Sequence, residues 1–107
     1  MITLLQIKEW LRIDHDEEDG LIQSLIDGST AIIQSATGIK KEYIESTTDE
    51  RLKNLYLMVQ RILITDLYSE RDTENKALIS YYIQLEVAYK GVLNSETQQI
   101  WYKTSWV

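Results

Sequence analysis

Along residues 21–36 the apolar side chains recur with the period of an α-helix. At about 100° per residue, Leu21, Ile22, Leu25, Ile26, Ile32, Ile33 and Ala36 fall within an arc of roughly 140°. Gln23, Asp27, Thr30 and Gln34 take the opposite side. A stripe of that width needs another element to cover it, so the chain must pack helix on helix or helix on sheet. The sequence has no proline and four glycines, so little interrupts long helices. The pattern predicts an all-α fold: a small bundle of three to four helices with an extended or partly strand-like C-terminal segment.

The helix carrying this stripe is expected over residues 17–37. Asp14 or Asp16 would cap it, and Gly38 would stop it. Acids in its first turn suit the helix dipole. A second stripe on the same helix is less expected. Ser24, Gly28, Ala31 and Ser35 follow one another at spacings of four, three and four. Small residues in a row let another backbone come close. That backbone belongs either to the same subunit or to a neighbouring one.

Upstream, Thr3 with Gln6 forms a capping box, and Leu4, Ile7, Trp10 and Leu11 continue at helical spacing, predicting a helix over residues 4–11. Downstream, residues 39–48 are expected to be a connector or partly ordered loop. Thr47 with Glu50 is a second capping box for a helix over residues 49–68. That helix is apolar almost all round, and only Asn54, Arg61 and Thr65 form a polar strip. It is either the central core helix or also faces a neighbouring subunit. Residues 69–76 are polar and predict a turn or loop. Between Ile79 and Lys90, apolar residues fall on odd positions, as in a strand. Leu78, Tyr82, Leu85 and Tyr89 also share a helical face, and helix is preferred for the first half. Residues 1–90 form the expected domain, and residues 91–107 a tail. In the tail, Ile100, Trp101, Tyr102 and Trp106 either fold back on the core or anchor the chain in a partner.

Chemistry finds little support. Cysteine is absent, which removes disulfides, thiolate metal sites and cysteine nucleophiles. The acidic run 14–19 fails as a calcium loop. With Asp14, Asp16 and Glu18 in the first three ligand positions, Asp19 replaces the turn glycine and Leu25 the last ligand. Helix capping is the expected role of these acids. His15 is the only histidine. It sits among carboxylates with no nucleophile motif nearby, so a solvated loop histidine is expected. No P-loop or dinucleotide fingerprint occurs. No catalytic, metal or cofactor residues are expected. The N-terminus lacks the marks of a signal peptide, and no apolar run approaches the ~20 residues that span a bilayer. A cytoplasmic setting, or a particle assembled there, is expected. A formal net charge of −6 argues against tight nonspecific DNA binding, which depends on Lys and Arg neutralising phosphates.

The N-terminal half resembles the head–tail connector (head-completion or adaptor) proteins of tailed bacteriophages, a family also linked to DNA packaging. The matching run is Leu11-Arg12-Ile13-Asp14, then the acidic loop to Asp19, then Leu21-Ile22, Leu25-Ile26, Ile32-Ile33 and Thr37-Gly38. A second match is Asp66-Leu67-Tyr68-Ser69-Glu70-Arg71, similar to the family's aromatic-x-x-Arg ending. Ile83-Gln84-Leu85 is similar to a Gln-Leu element in its last helix. The resemblance covers residues 1–90, while residues 87–107 depart from the short ending of the family.

The resemblance implies a structural virion protein, not an enzyme, in a homo-oligomeric ring, usually of twelve copies, at the capsid vertex. The ring would sit under the portal protein, meet a downstream connector, stopper or tail protein, and pass genomic dsDNA without sequence-specific binding or any membrane. On that reading Ser24, Gly28, Ala31, Ser35, Arg61 and Thr65 are candidates for the subunit interface. Ile100, Trp101, Tyr102 and Trp106 are candidates for portal contact. The rival from another class is a small helical protein-binding or regulatory module, which predicts a stable dimer. An enzyme subunit would need paired carboxylates in a pocket, and the spacing supplies none.

Overall fold

The computed structural model describes residues 2–69 and 76–105, with side chains for residues 2–69 and 77–94. Five helices follow one another among the described residues: α1 (Leu4–Leu11), α2 (Asp19–Thr37), α3 (Lys41–Ser46), α4 (Glu50–Tyr68) and α5 (Lys76–Ser105). The fold is all-α, as the periodicity predicts.

Helix α1 starts at the expected capping box. The Gln6 backbone N–H donates to Thr3 Oγ1 at 3.2 Å, and the Thr3 N–H donates to Gln6 Oε1 at 3.0 Å. The two bonds satisfy orphan donors of the first turn. Helix α2 ends where expected. Gly38 takes φ +78°, and its N–H donates to the Gln34 carbonyl at 2.8 Å. Glycine reaches that left-handed conformation without the cost a Cβ would impose.

The start of α2 departs from expectation. It begins two residues later, at Asp19, and its N-cap residue Glu18 makes no side-chain capping bond. Neither Asp14 nor Asp16 caps it. Instead Lys8 Nζ lies 2.6 Å from Asp16 and 2.9 Å from Asp19. The acids of this turn thus tie it to α1 instead of capping α2. The start of α4 also shifts. Asp49, not Thr47, is the cap, accepting from the Leu52 N–H at 2.9 Å, while Thr47 accepts from the Asp49 N–H.

The connector at residues 39–48 contains a short helix, α3, in place of the expected loop. Ile39 and Ile44 are fully buried on either side of its start. Two isoleucines hidden from water are worth about 1.5–3 kcal/mol each, enough to hold a helix too short to persist alone. Tyr43 of α3 meets Tyr89 of α5 edge-to-face, with ring centroids 5.0 Å apart.

The extended or strand-like alternative for the C-terminal segment gives way to helix. The segment at residues 79–90 lies within α5, a helix of about 45 Å at 1.5 Å per residue, and the helix runs through residue 90 without a break. The alternation of apolar residues there has two sources. Leu78 and Leu85 are buried, with Tyr81, Tyr82, Ala88, Tyr89 and Val92 beside them. Ile79, Ile83 and Val87 recur every four residues and face outward.

Helix α4 is the central core helix. Its Leu52, Tyr56, Val59 and Leu63 join Ile33, Ile39, Ile44, Leu78 and Leu85 in one cluster. Its Ile64 joins Ile7, Ile22 and Ile26 in a second. Between them, Gln60 Nε2 donates to Ser29 Oγ at 3.0 Å, both side chains buried. Tyr68 closes the far end, its hydroxyl 2.5 Å from a Glu18 carboxylate oxygen.

Candidate functional site

The stripe of small residues lies on the surface of the subunit. Helix α2 turns Ile22, Ile26, Ser29, Ile33 and Thr37 inward. Ser24, Ala31 and Ser35 are exposed and Gly28 is half-buried. A Cβ built on Gly28 meets nothing within 4 Å. Packing inside the monomer therefore does not explain the stripe. At about 100° per residue it stands opposite the buried residues and merges with Leu21 and Ile32 at its edge. Leu21 is 53% exposed and Ile32 38%. The Ser24 hydroxyl bonds back to the Gly20 carbonyl at 3.0 Å, which turns it along the helix. The outcome is a smooth face with two apolar side chains and little polar surface to desolvate.

Arg61 and Thr65 stand apart from that face, on the outward strip of α4, and meet Trp10 of α1 there. The indole Nε1 of Trp10 donates to Thr65 Oγ1 at 3.1 Å. The Thr65 hydroxyl in turn donates to the Arg61 carbonyl at 2.8 Å. The Arg61 guanidinium lies 5.3 Å from the centroid of the indole ring, within cation–π range. Trp10 nevertheless stays 55% exposed. Its expected place on the apolar face of α1 is thus corrected: Ile7 alone is buried there. Trp10, Asn54, Leu57, Met58, Arg61 and Ile62 line a groove of about 280 Å³. Among the described residues no carboxylate pairs with Arg61. The sequence named Arg61 and Thr65 but missed Trp10 and Met58. An exposed Trp beside an Arg is the composition of interface hot spots.

A wider groove of about 450 Å³ runs between α4 and α5, lined by Leu52, Leu55, Ala88 and Val92 with Asp49 and Arg51 at its rim. No histidine or pair of carboxylates converges there. His15 is exposed in the turn before α2. Of the neighbouring acids, Asp16 and Asp19 pair with Lys8. Hydrogen bonds from Lys8 hold the Asp16 carboxyl below its ordinary range, and Asp16 and Asp19 together raise the Lys8 ammonium. The Tyr68 hydroxyl is raised chiefly by its bond to Glu18. Burial pushes the Tyr56 hydroxyl up to about 12, with Glu42 and Glu45 adding to it. These shifts follow from structural contacts in the bundle and do not mark a reactive centre. Among the described residues no helix is long and apolar enough to cross a membrane.

The portal-contact candidates fall at the end of the chain. Ile100, Trp101 and Tyr102 lie on the backbone of α5, but their side chains, and all of Trp106, are outside the described residues.

A family model described as phage gp6-like head-tail connector protein matches residues 1–95. No curated protein and no solved structure matches the chain.

Proposed function

The chain belongs to the phage gp6-like head–tail connector family, a structural and non-enzymatic family of phage virion proteins, and from that premise we propose that it is a ring-forming adaptor between the portal and the next connector or tail protein. In this role it docks at the capsid vertex as a homo-oligomer of about twelve copies and extends the DNA channel. One observation supports the reading most. The bundle completes its own core and still leaves apolar side chains uncovered on different faces: Leu21 and Ile32 of α2, Trp10 and Met58 at the groove, and Ile79, Ile83 and Val87 of α5. A closed ring needs two such faces, because each heterologous contact joins one patch to a different patch on the next copy.

Ser24, Gly28, Ala31 and Ser35, with Leu21 and Ile32, supply one face. Arg61, Thr65 and Trp10 mark the other. The tail, residues 91–107, reaches toward the portal, with Ile100, Trp101, Tyr102 and Trp106 as its anchors. The acidic balance has a part as well. A ring multiplies the charge of each subunit, and a negative lumen repels phosphates, so DNA slides through instead of binding. Assembly takes place in the host cytoplasm, and the finished protein is a virion component.

Mixing the purified chain with portal and imaging by electron microscopy tests the reading. Rings on the portal are expected, and deletion of residues 100–107 should abolish portal binding while leaving the helical circular dichroism signal. A chain that stays off the portal, or that forms only a dimer, favours the regulatory module instead.

A further inference from the structure

The Trp10–Arg61 groove carries a positive charge that nothing in the described subunit neutralises. Its walls are apolar: Leu57, Met58 and Ile62. Trp10 is held open over it by the bond to Thr65, so the groove exists before any partner arrives. Such a site suits an apolar side chain flanked by carboxylates. Two grooves facing each other would set Arg61 against Arg61, which like-charge repulsion disfavours. The occupant must come from a different surface.

The same chain offers one. Residues 13–39 hold six carboxylates and no lysine or arginine. Among these acids, Asp16 and Asp19 pair with Lys8 and Glu18 with Tyr68. Asp14 and Glu17 are exposed and make no ion pair among the described residues. Leu21 lies in the first turn of α2, directly after this acidic turn, and is more than half exposed. It also borders the smooth face of α2, which lets the neighbouring backbone approach.

We propose that Leu21 of one copy, flanked by Asp14 and Glu17, seats in the Trp10–Met58–Arg61 groove of the next copy. This contact rests on the ring reading above and assigns its two halves. Leu21 fills the groove over Met58, the acids meet Arg61, and the stripe around Gly28 lies against the outward strip of the neighbour's α4. Opposite charges steer the two faces into register.

The absence of cysteine makes the test clean. Full-length chains carrying Met58→Cys or Leu21→Cys are mixed, with portal present, and treated with a short bismaleimide. A cross-link between the two variants is expected, with none for either variant alone and none when Leu21→Cys is mixed with Ser46→Cys. Arg61→Glu should lower ring formation by roughly tenfold or more, and Asp14→Lys with Glu17→Lys should restore it. If the wild-type chain forms rings but the cross-link is absent, or the charge swap restores nothing, this contact is wrong and the ring reading stands. If the wild-type chain forms no ring on the portal, both fall together.

Discussion

Gly28 allows the free face of α2 to be tested apart from assembly. A glycine within a helix costs roughly 0.5–1 kcal/mol relative to alanine, through the entropy its backbone loses on folding. The added Cβ at residue 28 meets nothing within 4 Å, so no clash offsets that gain. Gly28→Ala should stabilise the monomer by about 0.5–1 kcal/mol, or up to about 4–8 °C in Tm for a domain of this size. Arginine has a helix propensity close to alanine and can project into water, so Gly28→Arg should also leave the monomer at least as stable as wild type. In the ring the long cation has nowhere to go, and Gly28→Arg should block assembly. Thermal unfolding of the monomer and native mass spectrometry with portal read the two effects separately. A lower monomer Tm for Gly28→Ala would mean another backbone already fills that space, which refutes the open-face reasoning. Rings unaffected by Gly28→Arg would remove the stripe from the interface.

Three further outcomes follow from contacts within the subunit. The Tyr56 hydroxyl is buried without a hydrogen-bond partner among the described residues, so Tyr56→Phe should change urea stability by less than about 1 kcal/mol, in the stabilising direction if at all. Because burial pushes the native hydroxyl up to about 12 from the ordinary 10.0, the unfolded chain loses this proton first as pH rises. The Tyr56 contribution should be level below pH 10 and fall toward pH 12, and Tyr56→Phe should reduce that slope. Gln60→Ala removes a buried bond to Ser29 and leaves a cavity, so a loss of about 1–3 kcal/mol is expected in denaturant titrations, whereas Gln60→Leu should recover most of it. The Lys8–Asp16 pair has an acid limit: the hydrogen bond from Lys8 holds the Asp16 carboxyl below its ordinary value of 3.8, so its contribution is complete above that pH and lost as pH falls through the lowered native value. The acid limb of the urea midpoint against pH should accordingly show a loss only below the ordinary carboxylate range, and Lys8→Met should reduce it.

Local chemistry alone determined much of this protein. The capping box at Thr3 and the stop at Gly38 are written in consecutive residues, and each stands where the pattern puts it; the 3.6-residue stripe fixed α2 as a helix, but its edge residues Leu21, Ile32 and Ala36 stay exposed while Ser29 and Thr37 are buried instead. The all-α class followed from the same periodicity and from the lack of proline. Tertiary structure decided the features whose partners are distant in the chain. Lys8 on α1 pairs with Asp16 and Asp19, and neither Asp14 nor Asp16 caps α2. Ile39 and Ile44 folded α3 because a core was there to receive them. The alternation along α5 became helix because Leu78 and Leu85 share the face turned to α4, leaving Ile79, Ile83 and Val87 outside. Trp10 shows the limit most clearly. Its spacing places it on the apolar side of α1, yet its indole bonds to Thr65, 55 residues later. That meeting depends on how α1 crosses α4, so only the packed bundle could turn a core candidate into the wall of an open groove.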